Sequence, residues 1–187
     1  MGLKKTKSIM HGDKRVSEIL EAHERFFSGK EGGARADLAG ANLAGADLSA
    51  ANLSGAILRG ANLESSDLRR ARLTAADLAG ANLRKADLRN ADLTEASLSG
   101  ANLEETQASG IEFFRCDLSN TNFTGALLRN ANFRLANVHG AKFSGADMGV
   151  AILRETDLSG ADLSGVDLST ALMPRGYVQA KADGKSV

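Results

Sequence analysis

The 187-residue sequence predicts an all-β solenoid preceded by a short helix, and three observations predict it. From Ala36 the chain repeats every five residues, as ADLAG, ANLAG, ADLSA, ANLSG and onward, without insertion or deletion to ALMPR at 171–175. Within each repeat two apolar residues flank a polar one, which is strand alternation held for only three residues. Aromatic residues make up 4% of the chain, with no Trp, so the interior must be built from small, regularly spaced apolar side chains.

The residue positions justify each part of the repeat. With the large central residue called i, that position runs from Leu38 to Met173 in steps of five, which makes 28 repeats. It holds 20 Leu, Phe113, Phe123, Phe133, Phe143, two Met, one Val and Ala108. Position i−2 is Ala in 21 repeats, and its exceptions are small or β-branched. Position i−1 is Asp or Asn in 19, and Gly fills i+2 in 12. A period of five fits neither the helical 3.6 nor continuous alternation. It reads as a very short extended segment followed by a turn, with i−2 and i facing inward. One coil cannot bury its own apolar face, so neighbouring coils must stack.

The A-[D/N]-L-x-x text resembles the pentapeptide-repeat family over about three quarters of the chain. That resemblance implies four repeats per coil and a right-handed quadrilateral β-helix, here of about seven coils. Leu38, Leu58, Leu78, Leu98 and Leu118 then stack in one interior column. At the spacing between paired strands the rod is roughly 30–35 Å long. The expected division is a flexible N-terminal tail at 1–12, a capping helix and linker at 13–35, the repeat body at 36–175 and a C-terminal tail at 176–187.

One region departs from consensus, at 106–115. Ala108 is the only small residue at i, and Ile111, Cys116 and Thr121 are expected to fill the space it leaves. Phe then recurs every ten residues, which in four-repeat coils stacks Phe113 on Phe133 and Phe123 on Phe143. The stretch is expected to repack the core; a bend that forms a recognition surface is the alternative.

The ends of a solenoid expose apolar edges and need covering. Residues 13–29 carry Val16, Ile19, Leu20, His23 and Phe27 at helical spacing, with Asp13 as the expected N-cap and Gly29 as the stop. His23 is expected to be a partly buried cap residue. At the other end Pro174 stops the next strand. Leu172, Met173 and Tyr177 are candidates for a dimer contact, which family members make through C-terminal coils, or for an intramolecular cap. The tail is expected to fray after Gln179.

Charge sums to zero but unevenly: +3 over 1–35, −5 over 36–173 and +2 over 174–187. That distribution gives no reason to expect direct nucleic-acid binding. The single cysteine, Cys116, excludes an intrachain disulfide and fits a reducing, cytoplasmic compartment. No secretory signal and no membrane span is read, so no membrane association is expected; the myristoylation pattern at Met1–Thr6 is short enough to recur by chance.

Two surface groups stand out as a partner surface. Arg69, Arg70, Arg72 and Arg89 cluster where an acidic or phosphate-bearing partner could bind, although Asp67, Asp87 and Asp92 beside them offer cross-strand pairing instead. Phe114, Leu135, Ile152 and Leu172 line one wall, either as a contact surface or shielded by Arg115, Arg134 and Arg154. No catalytic constellation is read: the three histidines are scattered, Gly184-Lys185-Ser186 lacks the rest of a phosphate loop, and no cofactor or metal is expected. The expectation is a non-enzymatic structural or interaction module with an unknown protein partner. The alternative, implied by the resemblance, is a DNA-mimicking modulator of DNA gyrase related to quinolone resistance. The −5 body supports it poorly, since a duplex carries one charge per about 1.7 Å.

Overall fold

A computed structural model describes residues 2–177. Each repeat folds as its composition dictates. The amide of i donates to the carbonyl of i−1 in the following coil, as in Leu38 N–H to Ile57 O at 2.7 Å. The amide of i−1 donates back, as in Ile57 N–H to Ala36 O at 3.0 Å. A tight turn follows, closed by bonds such as Ala41 N–H to Leu38 O at 3.0 Å. Its third residue takes the left-handed conformation, the sign of a type II turn. This explains Gly at i+2. Yet fourteen residues other than glycine also hold φ of 54–63°, every one of them at i+2, Leu135 and Val150 included.

The extended segments are too short to count as strands. They appear as isolated parallel bridges between i−1 residues twenty apart, such as Asp37–Ile57, Ile57–Asp77 and Asp77–Ser97. Twenty residues are four repeats, and the four ladders interleave along the chain. No rung slips at the irregular stretch: Gln107 bridges both Asp87 and Leu127. The result is a β-helix solenoid.

Leucines at i and alanines at i−2 fill the interior, nearly all without solvent exposure. Each buried Leu contributes about 1.5–3 kcal/mol by leaving water. The hydroxyl exceptions at i−2 are satisfied by backbone carbonyls: Ser66 donates to Leu63 at 2.7 Å, Thr106 to Leu103 at 2.8 Å and Thr121 to Leu98 at 2.9 Å. After Ala108, itself buried, four phenylalanines take over the core. Phe113 lies tilted on Phe133 with centroids 5.1 Å apart, and Phe123 stacks on Phe143 at 4.9 Å. The two columns also meet edge to face, Phe133 to Phe143 at 5.7 Å.

The N-terminal residues differ from the expected loose tail. β1 (Lys4–Lys5) pairs in parallel with β4 (Ala46–Asp47) and extends the ladder of one wall backwards. A backbone bond from Lys4 to Gly45 at 2.7 Å and an ion pair from Lys5 to Asp47 at 2.8 Å hold it. The unpaired edge of the first coil is what draws the segment in. A short 3-10 turn (Thr6–Ser8) leads to the hairpin of β2 (Met10–His11) and β3 (Lys14–Arg15).

α1 (Val16–Phe27) begins later than expected. Asp13 is not its N-cap: with Gly12 at φ 57° it forms the two-residue hairpin turn, and Arg15 takes the cap position. The Glu18 carboxylate accepts from the Arg15 amide at 2.9 Å, half of a capping box. At the other end Gly29 to Phe26 and Lys30 to Arg25 form the paired bonds of a Schellman motif, with Gly29 left-handed at φ 62°. Val16 and His23 are buried, and Ile19 and Leu20 pack partly against the core. Phe27 does not join that face. It is half exposed and lies edge-on against His23, centroids 5.0 Å apart.

Towards the other end the ladders thin out. Two walls bridge as far as Asp162 and Leu172, while the other two stop at Asn137 and Asp147. Leu163, Ala171 and Met173 are only partly buried, unlike their counterparts in the middle.

Candidate interaction surface

Three of the four clustered arginines are brought together on one wall. Arg69 and Arg89 stand at i+1 in successive coils, with Arg70 beside them at i+2 in the same shallow groove of about 430 Å³, which Ser49, Ala50 and Asn90 complete. Arg72 belongs to the next ladder, where it bridges Asn52 and Asp92. The Arg69 guanidinium forks onto Asp67 at 2.9 and 2.5 Å and reaches Asp87 at 3.6 Å. Arg89 forks onto Asp87 at 2.8 and 2.6 Å. The hydrogen bonds from Arg69 hold the Asp67 carboxyl below its ordinary range, and those to Asp87 raise Arg89. Arg69 and Arg89 are thus neutralised by their own ladder of aspartates, and Arg70 and Arg72 are exposed without an ion pair among the described residues.

The apolar wall is also continuous. Ile152 bridges Leu172, and Asn132 bridges Ile152 in the same ladder that carries Phe114, Arg134 and Arg154 at i+1. Leu135 is 43% exposed and Leu172 40%, while Phe114 and Ile152 are half-buried. Phe114 is roofed by two guanidiniums, Arg115 at 5.1 Å and Arg134 at 5.9 Å from its ring centre. Arg134 in turn pairs with Glu155 at 3.0 Å. The wall is therefore shielded at Phe114 and open at Leu135 and Leu172.

Of the three C-terminal candidates, Met173 and Tyr177 pack against the core edge, and only Leu172 points outward. Val178, Gln179 and Gly184-Lys185-Ser186 lie outside the described residues, as does Met1 of the myristoylation pattern.

Cys116 is sealed inside. Its thiol donates to the Leu93 carbonyl at 2.7 Å, and burial pushes its pKa up to about 12, so it is an inert core residue. Among the described residues no group of His, Cys, Asp and Glu is arranged to hold a metal ion. No helix there is long and apolar enough to cross a membrane.

The Asp and Asn side chains at i−1 are structural, as their regular spacing leads one to expect. They bond the turn backbone, as in Asn62 Oδ1 accepting from Glu64 N–H at 3.2 Å, and neighbouring rungs, where Asn62 donates to Asn42, Asn82 to Asn62 and Asn122 to Asn102 at 3.1–3.4 Å. Sequence reasoning missed the exposed Phe26 and Phe27 pair on α1, 5.5 Å apart edge to face.

The sequence matches the family description "Pentapeptide repeats" in eight copies, over residues 34–70, 71–106, 111–149 and 150–173. The chain belongs to the pentapeptide-repeat family. Among solved pentapeptide-repeat proteins it is similar to HetL of the cyanobacterium Nostoc sp. strain PCC 7120, involved in heterocyst differentiation regulation. Identity is 31%, over 77% of this chain and 87% of that one, with a TM-score of 0.32. It is also similar to a second pentapeptide-repeat protein of Nostoc, alr5209, at 25% identity over 84% and 86% of the chains, with a TM-score of 0.37. QnrB1, a plasmid-mediated fluoroquinolone resistance protein, matches at 20% identity over 70% and 73%, with a TM-score of 0.38. No curated protein matches the chain in sequence.

Proposed function

We propose that this pentapeptide-repeat protein is a non-enzymatic interaction module, a rigid rod whose walls bind a protein partner. Its form is a right-handed quadrilateral β-helix; 28 repeats at four per coil make seven coils. Residues 13–35 serve as its cap and linker, 36–175 as its body, and 176–187 as a tail. The rod works in the cytoplasm and needs no cofactor.

The observation that carries this reading is the apolar wall of exposed Leu135 and Leu172 with half-buried Ile152 between them, on an unbroken ladder. Exposed apolar side chains in a row on a stiff support favour protein contact. Leu172 at the thinning end also supports a homodimer through the C-terminal coil. The gyrase-modulator alternative requires an acidic wall, and the groove of Arg69, Arg70 and Arg89 interrupts the one that carries Asp47, Asp67 and Asp87.

The test is capture from the source-cell lysate by the wild type and by Leu135→Glu/Ile152→Glu. The expected result is a protein retained by the first and lost by the second, with unchanged circular dichroism. Equal capture by both would remove the wall from the proposal. Sedimentation of Leu172→Glu tests the dimer, and a gyrase supercoiling assay with and without quinolone tests the alternative. Inhibition or protection at micromolar protein would favour the alternative.

A further inference from the structure

His23 is fully buried between α1 and the first coil, and it is the polar link between them. Its Nδ1 accepts the amide of Ala36, the first residue of the repeat body, at 3.0 Å. A neutral imidazole has one acceptor and one donor nitrogen, so the proton sits on Nε2. Nε2 is buried without a hydrogen-bond partner of good geometry. Around the ring stand the Phe27 edge from the helix, the Ser54 carbonyl from the first coil and the Arg35 guanidinium from the connecting segment. Arg35 is the charged group that faces it, and it is held in place by a bond to the Gly55 carbonyl.

This arrangement accepts only the uncharged ring. A proton on Nδ1 would set two donors against each other and leave the buried Ala36 amide without a partner. It would also place a buried cation beside the Arg35 guanidinium. We propose that His23 is a pH-sensitive latch: uncharged it holds α1 on the first coil, and protonated it lets the helix go and uncovers the N-terminal end of the solenoid. Of the other apolar side chains on the helix only Val16 is fully buried, and Ile19 and Leu20 are partly buried against the core, so His23 is a large share of what holds it.

Burial lowers the His23 pKa, the nearby Ser54 carbonyl opposes this, and the charge of Arg35 adds to it. A histidine depressed in the docked state contributes docking strength above its free value of about 6.5, and that strength is lost as pH falls below it. Undocking should then become about tenfold more favourable for each pH unit below that point until the docked ring itself titrates.

Hydrogen exchange on the full chain between pH 7.5 and 5.0, corrected for intrinsic rates, tests the latch. Protection of the amides of 16–27 and of Ala36 is expected to fall about tenfold per unit below about pH 6.5, while Leu83 and Leu103 stay constant. His23→Asn keeps an acceptor but cannot titrate, so its helix should stay protected throughout. Constant protection of the wild-type helix, or the same fall in His23→Asn, would overturn the proposal. If His23→Asn fails to dock its helix, NMR titration of the wild type decides: a His23 midpoint at or above about 6.5 with the helix amides still protected would also overturn it.

Discussion

Gly33 lies directly on the backbone of Phe26: a β-carbon built on Gly33 would stand 2.4 Å from the Phe26 amide nitrogen and 2.6 Å from its α-carbon. The connecting segment turns back along the last turn of α1, and Ala34 N–H bonds the Ala22 carbonyl at 3.0 Å. Gly33→Ala cannot be absorbed by a rotating side chain, because the obstacle is backbone. It is expected to weaken helix docking by about 1–3 kcal/mol, seen as lost exchange protection over 16–29 with the coils unaffected. An unchanged helix would mean that the contact is looser than 2.4 Å implies.

The left-handed turn position offers a paired test. Val150 holds φ 56° with its side chain exposed, and Gly145 holds φ 68° with open space where a β-carbon would go. For Val150→Gly, relief of about 1–2 kcal/mol of backbone strain exceeds the entropic cost of about 0.5–1. The variant should therefore gain up to about 1.5 kcal/mol and melt at a higher temperature. Gly145→Val should lose up to about 1.5 kcal/mol for the same reason reversed. Thermal unfolding followed by circular dichroism reads both.

Phe133 touches the three other core phenylalanines, at 5.1, 6.1 and 5.7 Å between centroids. Phe133→Ala empties the centre of that cluster and should cost about 3–5 kcal/mol in denaturant unfolding. Phe133→Leu places there the commonest residue at position i of this chain and should recover much of the loss.

Asp47 is held down to about 2, first by the hydrogen bond from Lys5 and then by that from Ser49. A depressed carboxylate contributes stability that is present above its ordinary value of 3.8 and is lost as pH falls towards 2. β1 is therefore expected to detach between about pH 4 and 2, below the range in which His23 acts. Lys5→Ala should move the Asp47 midpoint upward in an NMR titration. A midpoint unchanged by that substitution would show that the ion pair is not formed in solution.

The sequence by itself determined the solenoid, because its interior is local. Each five-residue unit carries its own inward Ala and Leu and its own turn residue, so side-chain type alone sorts inside from outside. The Phe columns were legible for the same reason: once four repeats make a coil, spacing by ten places Phe113 over Phe133. The number four did not follow from the period; the resemblance supplied it, and the twenty-residue bridges carry it in the structure. Only the tertiary structure decided the N-terminal end. Nothing in Lys4–Lys5 marks a strand, and it becomes one because the first coil presents an open edge in register with it. Asp13 could cap a helix or turn a hairpin, and a hairpin that docks beside the coil settled it as a turn residue. The arginine cluster could face a partner or its own carboxylates, and the rung spacing that sets Arg69 between Asp67 and Asp87 turned two of its members inward on the wall. Such choices depend on neighbours twenty or more residues away, and a short-range pattern carries no information about them.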